Sequence, residues 1–181
     1  MLNLHIGGRV AHPDWKIVDI EPRPEVDVVT NASDLSPFAD NSVDQIYASH
    51  VLEHFNYLLD NELNNTLAEW HRVLKPGGYL LISVPDLKTL CWLFLNPNLE
   101  PGDRYYLMRV IFGGQMNPYD VHRVGFDFDI LGLYLYEAGF RQYKQVPGFT
   151  YFDDSSNLTF LETPISLNVV ARKELETEIT A

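Results

Sequence analysis

Apolar and polar positions change period along this chain, and each change marks an element. Leu2-Asn3-Leu4-His5-Ile6 alternates and stops at Gly7-Gly8, which predicts a strand and then a tight turn. Trp15 to Ile20 predicts a second strand, ended by Glu21-Pro22 and Pro24, and Val26 to Val29 a short third. Val43 to Ser49 predicts a fourth, entered through the turn residues Asp40-Asn41-Ser42. The period then lengthens. Leu59, Leu63, Leu67, Trp70 and Leu74 step by four and three, one stripe of an amphipathic helix. Lys75-Pro76-Gly77-Gly78 is expected to close that helix, with a cation in its last turn and then residues that cannot continue it. Tyr79 to Val84 is almost wholly apolar, as a strand buried on both faces should be.

Beyond Pro85-Asp86 the alternation pauses. Leu87 to Asn96 and Arg104 to Ile111 read as helices with a Pro/Asn/Gly breaker between them, and residues 112–122 as a loop. Ile130 to Ala138 is a helix ended by Gly139, and Phe140 to Val146 and Ile165 to Ala171 are two last strands. Strands alternating with helices predict an α/β fold, a Rossmann-like and mostly parallel sheet. One domain, residues 1–172, is expected, with a charged, frayed tail at 173–181.

Three words in the middle of the chain narrow this: Pro37-Phe38-Ala39-Asp40-Asn41-Ser42-Val43-Asp44, then Ser49-His50-Val51-Leu52-Glu53-His54, then Arg72-Val73-Leu74-Lys75-Pro76-Gly77-Gly78. In that order, at the spacing of one strand–helix–strand crossover, they resemble class I S-adenosylmethionine-dependent methyltransferases of the small type 11-like kind. The resemblance runs over roughly residues 2–172. It implies a seven-stranded sheet closed by a terminal antiparallel hairpin, S-adenosylmethionine as cofactor, and methyl transfer, while the aromatic and polar mix of residues 87–124 suits a small-molecule or sugar acceptor.

Ligands of open α/β sheets lie outside the carboxyl ends of the strands. After the first strand, Gly7 and Gly8 let backbone approach a ligand closely. In the resembled family a glycine-rich loop here holds the amino-acid end of the cofactor; Gly7 matches its second glycine, while His5 stands at the first. Asp19, ending the second strand, suits an acid accepting from both ribose hydroxyls, or a turn-making aspartate. Only twelve residues separate Gly7 from Asp19, against about twenty in a dinucleotide fold. The first crossover helix is therefore expected to be shortened or missing. That favours a cofactor without a pyrophosphate, which would want the helix N-terminus. Asn31 and Asp34 resemble the family's adenine segment, although either can simply cap a turn, and Ser49 with His50 would face the sulfonium.

His50-Val51-Leu52-Glu53-His54 also fits H-x-x-E-H, in which two histidines one helical turn apart bind zinc beside a general-base glutamate. That site needs a long helix, and here His50 directly follows a strand, so no bound metal is expected and Glu53 and His54 are read as bonding loops beneath the pocket. For acceptor deprotonation the candidate bases are His122, in the polar cluster Tyr119-Asp120-Val121-His122-Arg123, and then His50. No lid helix precedes the first strand in this sequence, so residues 87–124 are expected to cover the acceptor, with Gly113-Gly114 as hinge or loop apex; contact with a second copy in a homodimer is another use for them. The rival is a catalytically silent binding or assembly domain on the same sheet.

Composition adds limits. The 181 residues carry 13 basic and 25 acidic side chains, a net charge of −12. Such a surface argues against nucleic acid and anionic membranes as partners. Cys91 is the one cysteine, so no internal disulfide forms; it sits in Thr89-Leu90-Cys91-Trp92-Leu93-Phe94-Leu95 and is expected to be a buried small hydrophobe. No run is long enough to span a bilayer and Met1 to Gly8 lacks the parts of a signal peptide, which predicts a cytoplasmic protein.

Overall fold

The computed structural model describes residues 1–175. Among the described residues nine strands form: β1 (Asn3–Ile6), β2 (Lys16–Asp19), β3 (Val28–Val29), β4 (Val43–Ser49), β5 (Leu74–Pro85), β6 (Gln142–Val146), β7 (Thr159–Phe160), β8 (Thr163–Pro164) and β9 (Ser166–Arg172). Seven of them make one sheet in the order β3-β2-β1-β4-β5-β9-β6. β1 to β5 run parallel, and β9 lies antiparallel between β5 and β6. The strand order reverses between β1 and β4, so the carboxyl ends of these two strands flank the crevice where such sheets hold ligands.

One face of the sheet carries helices. On α1 (Glu62–Val73) the buried stripe is Leu63, Leu67, Trp70 and Val73, and α4 (Phe128–Glu137) adds Leu131 and Leu135. They pack on alternate strand residues, among them Leu4 and Ile6, Ile46 and Ala48, and Leu80, Ile82 and Val84. The Trp70 indole also donates to the Ala32 carbonyl at 2.8 Å, tying α1 to the loop after β3.

The opposite face is covered without a crossover helix. Among the described residues none lies between β1 and β2, in keeping with the short spacing from Gly7 to Asp19. Trp15 and Phe149 instead pack on Tyr47 and Leu81, the strand residues pointing the other way. His5 joins them, its ring 4.0 Å from that of Phe152. The Tyr47 hydroxyl donates to Asp154 at 2.8 Å, which fastens the 147–158 loop over this face.

Several sequence expectations shift. The helix read from Leu59 starts at Glu62, because Asp60 (φ 56°) and Asn61 (φ 54°) are left-handed and break the stripe, leaving Leu59 64% exposed. Lys75 to Gly78 does not turn the chain out of the helix; β5 already begins at Leu74, and the pairing with β4 jumps from Val43↔Leu74 to Gln45↔Tyr79. The third strand shrinks to two residues, since the Asp27 carboxylate takes the Ile17 N–H at 2.8 Å in place of a backbone carbonyl.

Residues 176–181 of the expected frayed tail lie outside the described residues, but Lys173 is anchored: its ammonium donates to the His71 carbonyl at 2.7 Å and to that of Leu74 at 2.8 Å. A cation at these carbonyls suits the negative end of α1. After β5, α2 (Leu87–Phe94) and α3 (Pro101–Phe112) form a helical pair over a small core of Leu90, Leu93, Leu99, Leu107 and Ile165. Cys91 is exposed rather than buried, because α2 turns Leu90 and Leu93 inward and Cys91 and Trp92 outward.

Candidate functional site

β4 ends beside the crevice, and His50 there adopts a left-handed backbone (φ 54°) while its N–H still bonds Ser83. The chain then folds into a single 3-10 turn, Leu52–His54, not a long helix. The turn drives Glu53 inward until it is 1% exposed, and among the described residues neither carboxylate oxygen receives a hydrogen bond of good geometry. A buried carboxylate without partners is costly, so its neighbours matter.

Three histidines surround it. His50 Nδ1 lies 3.3 Å and His122 Nε2 4.0 Å from Glu53 Oε1. The rings of His54 and His122 meet edge to face at 4.9 Å. Burial raises the Glu53 carboxyl, but the imidazoles, His50 foremost, outweigh it and hold the group below the usual carboxylate range. Burial pushes His122 down, with Glu53 opposing.

His122 reaches this corner from 69 residues away by backbone docking. Arg123 N–H donates to the Glu53 carbonyl at 2.7 Å, and its side-chain Nε to the His54 carbonyl at 3.1 Å. His54 Nδ1 bonds the Val121 carbonyl at 3.2 Å. A carbonyl only accepts, so Nδ1 carries the proton and His54 Nε2 keeps its lone pair. The His50 ring is fixed by the same logic. Ser166 Oγ spends its proton on the Ser155 carbonyl at 2.7 Å, so it accepts from His50 Nε2 at 3.0 Å.

The Gly113-Gly114-Gln115 loop is tied closed rather than left as a free hinge. Asp120 accepts from Gly114 N–H at 3.2 Å and Met116 N–H at 3.3 Å, and Gln115 N–H bonds the Asp120 carbonyl at 2.7 Å. A Cβ at Gly114 would press on the end of the Asp120 side chain.

The expected cofactor residues gather around β1 and β2. Gly7 (φ 73°) turns the chain and donates to Val18 at 2.9 Å, with the Val51 side chain close above. Asp19 pairs with Arg23 at 2.9 Å, and the same guanidinium nitrogen donates to the Gly8 carbonyl at 2.8 Å. Arg23, which the sequence reading did not single out, therefore ties Asp19 to the turn after β1. Asn31 and Asp34 each bond the backbone two residues on, at Ser33 and Ser36, the turn-capping alternative. The Ser49 hydroxyl is buried without a hydrogen-bond partner and lies on the Tyr47 side of the strand.

A groove of about 660 Å3 opens beside the histidine corner. His122 to Gly125 form one wall, and α2 and α3 supply Leu87, Cys91, Phe94, Met108 and Phe112. A second cavity, lined by Asn3, His12, Trp15 and Gln45, lies toward the opposite ends of β1 and β4.

The mostly parallel seven-stranded sheet is that of a Rossmann-like methyltransferase fold, and comparison with known proteins agrees. Residues 15–82 match the family described as the methyltransferase domain. The structure superposes on an S-adenosylmethionine-dependent methyltransferase from Archaeoglobus fulgidus with a TM-score of 0.61, at 18% identity, covering 95% of this chain and 86% of that one. The chain shares the fold of that methyltransferase. A second neighbour, an S-adenosylmethionine-dependent methyltransferase from Thermotoga maritima, gives a TM-score of 0.59 at 21% identity over 95% of this chain and 82% of that one. In sequence, 90 residues, 49% of this chain and 26% of the relative, are 37% identical to malonyl-[acyl-carrier protein] O-methyltransferase 1 of Coxiella burnetii. The chain spans about a quarter of the length of the curated relatives it matches. No helix among the described residues is long and apolar enough to cross a membrane.

Proposed function

We propose that this chain moves a methyl group from S-adenosylmethionine to a small acceptor. The observation that carries the proposal is a polar corner, Glu53 with His50, His54 and His122, at the carboxyl end of β4 in a sheet of methyltransferase order. The cofactor supplies a methyl already activated by a positive sulfur. Asp19 would accept from the ribose hydroxyls once the Arg23 side chain swings off it. Gly7 would face the amino-acid end, and Asn31 and Asp34 the base. Ser49 and His50 would border the methyl.

The groove between α2, α3 and residues 122–125 would hold the acceptor, making 87–124 its cover. Its lining is mostly apolar, which favours a small molecule with an apolar body over a free sugar. The acceptor's proton would be lost at the corner of His122 and Glu53. His50, with Nε2 held by Ser166, would position the carboxylate. Replacing His122 by Ala should then lower turnover by about a hundredfold while leaving cofactor affinity nearly unchanged.

One observation favours the silent-domain reading: Arg23 already satisfies Asp19 and the Gly8 carbonyl. Calorimetry decides between the two. Micromolar binding of S-adenosylhomocysteine, weakened by roughly 1–3 kcal/mol in Asp19→Ala, is the expected result. No heat at millimolar ligand would establish the silent domain.

A further inference from the structure

We propose that Glu53, His54 and His122 form a binding site for a divalent first-row transition-metal ion. One donor atom from each lies within 4.8 Å of the other two. Donors sharing a tetrahedral ion with bonds of ~2.1 Å stand about 3.4 Å apart, so a modest contraction seats the ion.

The chemistry of the donors points the same way. Glu53 is 1% exposed with neither oxygen in a hydrogen bond of good geometry among the described residues, and three imidazoles, not a Lys or Arg, surround it. A cation in their midst compensates the buried charge. His54 has the orientation of a metal ligand: Nδ1–H is spent on the Val121 carbonyl, leaving the Nε2 lone pair. His122 directs Nε2 toward the same carboxylate oxygen. His50 Nδ1 lies 3.3 Å from the same oxygen, its ring held by Ser166 through Nε2.

The H-x-x-E-H spacing predicts no such site, because it pairs His50 with His54 on one helix. The structure replaces His50 with His122, delivered by the loop after α3. One carboxylate and two imidazoles suit zinc, manganese, iron(II) or cobalt, and leave coordination positions open. Metal binding stands apart from the methyl-transfer reading. The consequence for the acceptor rests on it: an acceptor hydroxyl beside the groove would take an open position and become more acidic there. His122 would then be a ligand in place of the proton acceptor of the proposed function.

The probe is Co2+ added to tagless, chelator-treated protein, followed by visible absorption, calorimetry and thermal melting. One equivalent is expected to bind with d–d bands and raise Tm. In His122→Ala and His54→Ala, which should stay folded by circular dichroism, affinity should fall at least a hundredfold and the Tm shift should vanish. Glu53→Gln preserves volume and provides a third variant should one of these unfold. Folded wild-type protein without d–d bands at millimolar Co2+ overturns the site, as does binding that survives all the folded variants, which would place the ion elsewhere. S-adenosylhomocysteine is titrated separately with and without Co2+. Cofactor binding without metal binding removes this site alone, and metal binding without cofactor binding removes the methyl-transfer reading alone.

Discussion

At the scale of single residues, the site is governed by where charge has been buried and what answers it. Asp19 and Glu53 illustrate two outcomes. Asp19 is answered by Arg23, whose guanidinium also takes Glu25 at 2.7 Å and the Gly8 carbonyl. Glu53 is faced, among the described residues, by the imidazoles of His50, His54 and His122 and by no Lys or Arg side chain. The first arrangement has a measurable consequence. In the proposed cofactor site, ribose hydroxyls would have to displace Arg23 to reach Asp19, and a partly exposed pair of this kind contributes about 1 kcal/mol. Arg23→Gln should therefore tighten S-adenosylhomocysteine binding by up to about fivefold in calorimetry at low salt. Weaker binding in this variant would show instead that Arg23 belongs to the cofactor site.

At the scale of elements, the loop between α3 and α4 does the most to build the site, and its glycines are not equivalent. Gly113 has φ 84°, and a Cβ there would meet the Asp120 carbonyl oxygen at 2.6 Å. Backbone cannot move aside cheaply. At Gly114 the obstacle is the end of the Asp120 side chain, which can rotate away. Urea denaturation should show Gly113→Ala costing about 2 kcal/mol or more and Gly114→Ala about 1 kcal/mol or less. Equal costs would mean that the loop yields as a whole. Little of this was legible in advance. Strands announce themselves through local rules, and Val43 to Ser49 was read to the residue because a buried run between turn signals leaves little freedom. The meeting of Glu53 with His122 comes from backbone bonds between segments far apart in sequence, and no spacing rule reports it. The same holds for Arg23 across Asp19. The false start at Leu59 has a local cause, two left-handed residues that an apolar stripe does not reveal.

At the scale of the whole molecule, the missing crossover helix and the buried histidines set how the fold responds to acid. With no helix over β1, His5 packs beneath Phe152 and Tyr47, and burial pushes its imidazole down to about 4. His71, on α1 against Phe140, is likewise lowered to about 4, by burial and then by Lys173 and Arg141. An unfolded chain would bind a proton at each near 6.5. Above that value both rings are neutral in either state, and this part of the stability is complete. Between about 6.5 and 4 the unfolded chain takes protons that the fold refuses, so stability falls as pH falls. The full shift at His5 corresponds to about 3 kcal/mol, and the half-buried His71 contributes less. Asp44, held low by Lys75, and Glu69, held low by Arg72, add their losses at still lower pH. Protonation also relieves the self-repulsion of a chain with a net charge of −12, but this relief is spread over the surface and screened by salt. In moderate salt, Tm should therefore drop markedly from pH 7.5 to 5. A His5→Gln, His71→Gln double variant, less stable at neutral pH through lost packing, should show a much shallower drop. An equal drop in both proteins would assign the acid sensitivity to other groups, Glu53 and His122 first among them.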